Sequence, residues 1–292
     1  MNPLISPQQL ASLMAEDANL LILDASVELP APRFDRDYQV ASGRDGWYQA
    51  HIPGALHADL LHDLALPDAS FSFALPGVEQ LASALARLGL DGARQVVIYD
   101  RSEGFWAARL WWMLRSVGLA AQVLDGGFKA WCAAGLLQAQ GIEPVLPVAA
   151  MPLSARPGLW IERDGVQAMV SGERPGLLVC TLSQALFEGS AASRYARRGH
   201  IPGSRNLPAR QLLDADGRYL PRDQLQQQLA ALLLDVPGPL VLYCGGAISA
   251  AALALALALT LVGRDDVLLY DGSLQEWAAD SNLPMTTGAT PD

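Results

Sequence analysis

His51-Ile52-Pro53-Gly54 returns as His200-Ile201-Pro202-Gly203, and Val97-Ile98-Tyr99-Asp100 returns as Val241-Leu242-Tyr243-Cys244. Leu124-Asp125-Gly126-Gly127, with Trp131 after it, returns as Tyr270-Asp271-Gly272-Ser273, with Trp277 after it. A period of roughly 145 residues is too long for a solenoid unit, so the chain reads as two domains of one fold in tandem. One copy closes its strand with a carboxylate, Asp100, and the other with a thiol, Cys244. That asymmetry nominates Cys244 as the working residue.

Around these motifs the elements alternate. In the first copy Leu20 to Leu23 is a short apolar run, Val78 to Leu88 has helical apolar spacing, and Gln95 to Tyr99 is β-branched and apolar. Ala107 to Val117 is again helical and Ala121 to Leu124 again a strand. The second copy repeats the order with Gly176 to Val179, Asp223 to Leu234, Pro239 to Tyr243, Ser249 to Val262 and Val267 to Tyr270. Strands separated by helices predict an α/β fold, one parallel sheet flanked by helices per copy. The proline-rich stretch holding Pro144, Pro147, Pro152 and Pro157 reads as the connector. The expected division is residues 1–140 as a domain without a catalytic cysteine, 141–157 as the linker and 158–292 as the catalytic domain.

With 292 residues, 51% of them hydrophobic, the chain has enough apolar material for two cores. A net charge of −10 disfavours nucleic acid, whose phosphates need a clustered basic surface. It leaves room for a small anion held by one or two arginines. No secretory or transit signature is visible at Met1 to Met14, and the apolar stretch from Ala250 to Val262 is shorter than the roughly 20 residues that span a bilayer. No membrane association is expected. Three scattered cysteines, Cys132, Cys180 and Cys244, suit neither a disulfide framework nor a zinc site, so a reducing cytoplasm is the expected compartment.

The chemistry concentrates at Cys244-Gly245-Gly246-Ala247-Ile248-Ser249-Ala250. An apolar strand, a turn with two glycines and then a helix bring backbone N–H groups together at the positive end of a helix, which binds anions and favours thiolate over thiol. Glycines let the backbone close around a sulfur without Cβ clashes. An isolated Cys-Gly-Gly reads as a buried strand-end cysteine. The strand-loop-helix context and the sister Asp100 favour a nucleophile instead.

Taken jointly, these residues resemble the tandem rhodanese-like sulfurtransferases, which include thiosulfate and 3-mercaptopyruvate sulfurtransferases. The first copy carries the resemblance in His51-Ile52-Pro53-Gly54-Ala55, in Val97 to Asp100 with Arg109, Trp111, Trp112, Met113 and Leu114, and in Leu124 to Gly127 with Trp131. The second carries it in Gly199 to Gly203, Asn206, Pro208, Cys244 and Tyr270 to Ser273 with Trp277. The resemblance implies two rhodanese domains with the active site near their interface. It further implies an enzyme that moves sulfane sulfur from a small anionic donor, thiosulfate or 3-mercaptopyruvate, to a thiol or cyanide through a persulfide on Cys244. Gly245 to Ala250 match the loop that cradles that persulfide. No metal or organic cofactor is expected, because the sulfur rides on the protein.

The departures concern the substrate. The loop is neutral and glycine-initiated like the mercaptopyruvate type, yet Gly246 stands where that pattern has a serine and Ala247 where it has its second glycine. The serine relay that would use His51 and Asp45 therefore lacks its hydroxyl, and Ser249 lies late in the loop. Of the arginine pair that grips a substrate carboxylate, the first position is Leu186, while Arg194 lies near the second and is the expected anion contact. Its neighbours Arg197, Arg198 and Arg205 read as a solvated basic loop. His51 and His200 occur in both copies, which favours a structural role, with a place for His51 at the neighbouring site left open. Phe105 and Trp106 match an aromatic substrate wall and also suit plain packing. Cys180 reads as passive, or as a resolving thiol, and Cys132 as structural. The related cell-cycle phosphatases end their loop in an arginine that holds phosphate. Here Ala250 stands there and no arginine follows before Arg264, which disfavours phosphatase chemistry. A non-catalytic interaction module, suggested by Leu186 and Gly246 and opposed by Cys244, is the other alternative.

Overall fold

The structure is a computed structural model that describes residues 2–17, 19–233, 238–260 and 266–289. In the first half the strands are β1 (Leu4–Ile5), β2 (Leu20–Asp24), β3 (Val27–Glu28), β4 (Ala41–Ser42), β5 (Leu56–His57), β6 (Gln95–Tyr99) and β7 (Gln122–Leu124). Its helices are α1 (Pro7–Glu16), α2 (Arg44–Gln49), α3 (Val78–Arg87), α4 (Phe105–Ser116) and α5 (Gly127–Ala133). The second half contains β8 (Trp160–Ile161), β9 (Leu177–Cys180), β10 (Arg205–Asn206), β11 (Leu240–Tyr243) and β12 (Val267–Tyr270). Its helices are α6 (Arg163–Val170), α7 (Gln184–Phe187), α8 (Arg222–Leu233), α9 (Ile248–Thr260) and α10 (Ser273–Trp277).

Each half builds a five-stranded parallel sheet, ordered β1-β7-β6-β2-β5 and β10-β9-β11-β12-β8. Read from matching edges the two orders coincide. The central strands β6 and β11 are nearly unbroken apolar runs because both faces of a parallel sheet are covered. Asp100 and Cys244 follow directly at their carboxyl ends, where open α/β sheets bind ligands.

All the strands and helices expected from apolar spacing are present, with ends shifted by one or two residues. The expected ends at Leu234 and Val262, and Arg264, lie outside the described residues. Several short elements were not expected. Helix α1 carries a capping box in which Ser6 Oγ accepts from Gln9 N at 3.3 Å and Gln9 Oε1 accepts from Ser6 N at 3.0 Å, with Pro7 at the first turn. Residues 141–157 carry no helix or strand.

The two halves share one hydrophobic core. Helix α4 of the first packs on α9 of the second, and residues of both sheets join a single buried cluster. Helix α9 is buried almost all round from Ala250 to Leu257, which explains why its sequence is apolar without a polar face. Arg109 of α4 pins the junction. Its guanidinium donates to Asp271 Oδ1 at 2.5 Å and to the Phe73 carbonyl at 2.8 Å, and lies 4.7 Å over the Trp160 ring. Asp271 Oδ2 also accepts from Leu75 N at 2.7 Å.

Candidate active site between the two halves

The joining of α4 to α9 brings both strand-end loops to one cleft. A cavity of about 400 Å³ lies there, bordered by Cys244, Gly245, Gly246, Ile248 and Ser249 from one half and by Ser102, Glu103, Phe105 and Trp106 from the other. Cys244 is 3% exposed, at the floor of the cavity rather than on open surface. The ion pair of Arg210 Nε with Glu103 Oε1, 2.6 Å, bridges the cleft between the halves.

The sister loop shows what this backbone can hold. The Asp100 carboxylate is fully buried and accepts four hydrogen bonds: Ser102 N at 2.9 Å, Ser102 Oγ at 3.2 Å, Gly104 N at 2.9 Å and Ala107 N at 3.0 Å. An anion therefore sits in the ring of amides between β6 and α4, as the first turn of a helix favours. In the second half the amides of Gly245, Gly246, Ile248, Ser249 and Ala250 have no protein acceptor among the described residues. Ala250 is the third residue of α9, as Ala107 is of α4.

Ala247 departs from expectation. Its amide donates to Ser273 Oγ at 3.1 Å, its side chain is fully buried away from the cavity, and its backbone is left-handed at φ 59°. The expected cradle thus loses one donor. The side chain of Ala250 is likewise buried outside the cavity, so only its amide can face a ligand. The Ser273 hydroxyl also accepts from Cys244 N at 3.2 Å and donates to the Tyr270 carbonyl at 2.8 Å, fastening both ends of the loop. Sequence reasoning missed this residue. The signal was the replacement of Gly127, at φ 58°, by a serine at φ 47°, a conformation that non-glycine residues seldom adopt.

Two glycines of the loop are closely approached by side chains. A Cβ on Gly245 would collide with the Tyr195 hydroxyl, and one on Gly246 would lie 2.6 Å from Gln275 Nε2. Gln275 Oε1 in turn accepts from Ser72 N of the first half at 3.0 Å. Burial, with Cys244 nearby, raises the Tyr195 phenol well above its ordinary range. Ser249 Oγ is paired with Thr181 Oγ1 at 2.8 Å.

Arg194 borders the cavity and donates from Nη2 to the Pro30 carbonyl of the first half at 3.0 Å. Leu186 also borders it, so the position that holds an arginine in the resemblance here presents hydrocarbon. Arg197 donates to the carbonyls of Trp277, Ala278, Asp280 and Leu283, a structural staple rather than a solvated side chain. Arg198 pairs with Asp35 of the first half at 2.9 Å, while Arg205 is exposed.

Both repeated histidines are structural. His51 is buried, with Nδ1 2.8 Å from the Trp47 carbonyl and Nε2 3.1 Å from Glu143 Oε1. His200 has Nδ1 2.8 Å from the Phe187 carbonyl and stacks on the Phe187 ring at 3.6 Å. Neither borders the cavity, and Asp45 is exposed on α2. Phe105 and Trp106 both wall the cavity, and Trp106 also packs edge-on against Phe73 at 4.9 Å. Cys180 is fully buried, and burial pushes its thiol up to about 12, which fits the passive reading. Cys132 is half-buried and away from the cavity.

The chain matches the family model of the rhodanese-like domain over residues 6–134 and 181–280. It is 35% identical to the probable 3-mercaptopyruvate sulfurtransferase of Pseudomonas aeruginosa, covering 98% of each chain. To the thiosulfate sulfurtransferase of Gallus gallus it is 32% identical, covering 89% of this chain and 86% of that one. Among solved structures, Escherichia coli SseA, a 3-mercaptopyruvate enzyme, aligns with TM-score 0.77 and 27% identity over 94% of this chain and 99% of that one. An EanB variant bound to ergothioneine shares the fold, with TM-score 0.81 and 21% identity over 99% of this chain and 71% of that one. Two like sheets, a cysteine at the end of one central strand and matches across nearly the whole length lead to one conclusion: the chain belongs to the rhodanese-like family, as a tandem of two such domains.

Proposed function

We infer that this protein is a sulfurtransferase of the thiosulfate or 3-mercaptopyruvate type, with Cys244 as the sulfur-carrying nucleophile. The observation that carries the reading is the pair of strand-end loops. Where the first holds the Asp100 carboxylate on three amides and a hydroxyl, the second offers amides without protein acceptors among the described residues, beside a thiol on the cavity.

In this reading the Cys244 thiolate attacks the outer sulfur of the donor. With thiosulfate the S–S bond breaks, its electron pair leaves with sulfite, and the cysteine retains a persulfide anion. The amides of Gly245, Gly246, Ile248, Ser249 and Ala250 are the proposed donors to that anion, and being fixed in advance they need no reorganisation as charge moves onto the sulfur. Arg194 supplies a cation at the cavity wall for the donor's anionic end. A thiol or cyanide then attacks the outer sulfur and regenerates the thiolate. With 3-mercaptopyruvate a C–S bond breaks and the departing carbon needs a proton. Gly246 supplies no hydroxyl for it, and Ser249 is engaged by Thr181. Tyr38 and Tyr195 carry further hydroxyls among the residues that border the cavity.

We place the reaction in the cytoplasm, where the three free cysteines remain thiols, with small-molecule partners and neither nucleic acid nor membrane as a ligand. No described helix is long and apolar enough to cross a membrane. The interaction-module reading is not favoured, because the relatives are named as transferases and the thiol borders an open cleft.

Incubation with thiosulfate or 3-mercaptopyruvate should add about one sulfur, roughly 32 Da, to the intact protein. Cys244→Ser should abolish both that increment and thiocyanate formation from cyanide. Loading that survives Cys244→Ser overturns the assignment.

A further inference from the structure

The ring of amides after Cys244 is short of one donor, because Ser273 takes the Ala247 N–H. A side chain stands where it can make up the loss. The ring of Tyr195 packs against the apolar core of the second half, and its hydroxyl lies over Gly245, the residue that follows the thiol, so close that a Cβ there would fall on the oxygen. Tyr195 borders the same cavity as Cys244. Its amide donates to Ser193 Oγ at 3.2 Å, yet its hydroxyl makes no hydrogen bond among the described residues. A half-buried phenol usually finds a partner, so this oxygen stands ready for a ligand.

The segment that carries the phenol is clamped by the first half. Ser193 N donates to Asp35 Oδ1 at 3.0 Å, the Ser193 carbonyl accepts from Arg36 N at 2.7 Å, and Arg194 reaches the Pro30 carbonyl. The donor is therefore fixed before any substrate arrives, as electrostatic stabilisation requires. Burial, with Cys244 nearby, keeps the phenol protonated throughout the neutral range.

We propose that Tyr195 is a further catalytic residue, whose hydroxyl donates a hydrogen bond to the outer sulfur of the Cys244 persulfide. This inference rests on the sulfur-transfer reading above and adds a side-chain donor to its amides. The resting thiol and the phenol are not hydrogen-bonded to each other. The outer sulfur stands about 2 Å beyond Sγ, and there the O–H finds its acceptor.

The step balances with the phenol keeping its proton. The Cys244 thiolate forms a new S–S bond to the outer sulfur of thiosulfate, the old S–S bond breaks, and its electron pair leaves with sulfite. Negative charge arrives on the outer sulfur, facing the O–H. In reverse, sulfite attacks that sulfur and restores thiosulfate and the thiolate, so loading reaches an equilibrium.

The test reads that equilibrium. Full-length protein, free or already loaded from thiosulfate or 3-mercaptopyruvate, is held at fixed ratios of thiosulfate to sulfite, and intact mass gives the persulfide fraction. A hydrogen bond to a charged group is worth roughly ten- to a hundredfold in an equilibrium constant. Tyr195→Phe should need a ratio higher by that factor for half-loading. It should match wild type in urea unfolding, because the oxygen it loses has no protein partner. A half-loading ratio within about twofold of wild type, less than a third of the smallest shift such a bond gives, overturns the role of Tyr195 and leaves the sulfurtransferase reading standing. So does a shift that comes with a loss of stability, which would make the hydroxyl structural. Wild-type protein that gains no sulfur from thiosulfate or from 3-mercaptopyruvate overturns both.

Discussion

Replacing Ser273 with alanine removes the fastening of the Cys244 loop while leaving every loop residue in place. The hydroxyl accepts from Cys244 N and Ala247 N and donates to the Tyr270 carbonyl, and the residue is fully buried. Ser273→Ala therefore orphans two amides and one carbonyl. Each buried unsatisfied group costs about 1–3 kcal/mol. Water entering the gap recovers part, so a total loss of about 2–4 kcal/mol is expected. The backbone at φ 47° adds a second handle. A left-handed conformation costs a side-chain-bearing residue about 1–2 kcal/mol that glycine does not incur. Ser273→Gly should accordingly be more stable than Ser273→Ala by about 1 kcal/mol while lacking the same three hydrogen bonds. Both variants free the Ala247 amide and the start of the loop, and a displacement of about 1 Å at a reacting group costs on the order of 100-fold in rate. Urea unfolding followed by tryptophan fluorescence measures the stabilities, and the rate of sulfur loading on Cys244 measures the positioning. The two variants should differ in stability and be alike in slowed loading. A Ser273→Ala protein within about 0.5 kcal/mol of wild type that loads sulfur at the wild-type rate refutes the fastening role; the bound used is the ordinary effect of a neutral substitution.

Asp100→Asn replaces one acceptor oxygen by an NH2 group facing backbone donors in a fully buried site. A loss of about 2–4 kcal/mol in urea unfolding is expected, and a neutral result contradicts the reading of this loop as an anion ring. Glu143 accepts from Gly54 N at 3.0 Å and meets His51 Nε2 at 3.1 Å, and these contacts, the Gly54 amide foremost, hold its carboxyl below the usual carboxylate range. Its contribution is therefore fully present above the unfolded value and lost as pH falls through the lower folded value. Glu143→Gln should cost about 1 kcal/mol at pH 7, with the gap to wild type closing below about pH 4; a gap of constant size from pH 7 to pH 3 rejects the assignment. Cys180 ends β9 in the same sheet as β11, paired with Tyr243, and, with its thiol pushed up to about 12 by burial, carries thiolate at only about one part in ten thousand at pH 8. Iodoacetamide on the native protein should label Cys244 and spare Cys180, whereas a Cys180–Cys244 disulfide under mild oxidant would establish the resolving role.

Much of the fold was legible because it rests on short-range patterns. Strands such as Gln95 to Tyr99 and Leu240 to Tyr243 are buried on both faces, so their composition announces them without reference to any partner. Two-residue edge strands such as Leu56–His57 and Arg205–Asn206 are too short for any period, and exist only because a neighbouring strand supplies their hydrogen bonds. Helix α1 was readable in principle, since Ser6-Pro7 with Gln9 is a capping-box signature.

The candidate site divides in the same way. The repeat, the exchange of Asp100 for Cys244 and the glycines that follow are local facts, and they suffice to name a nucleophile and an anion-binding turn in the second copy. They also foresee that His51 and His200 tie structure together, since a residue present in both copies cannot explain a function confined to one. Which amides of the turn remain available, however, is decided by Ser273, far along the chain, taking the Ala247 N–H. That Tyr195 closes over Gly245 and that Leu186 turns hydrocarbon toward the thiol's cavity follow from contacts inside the second half, and that both strand-end loops open on one cleft follows from the packing of α4 against α9. Backbone propensity and apolar period are properties of neighbours in sequence. The size and polarity of a cleft depend on which surfaces two folded halves bury against each other, and only the assembled tertiary structure settles that.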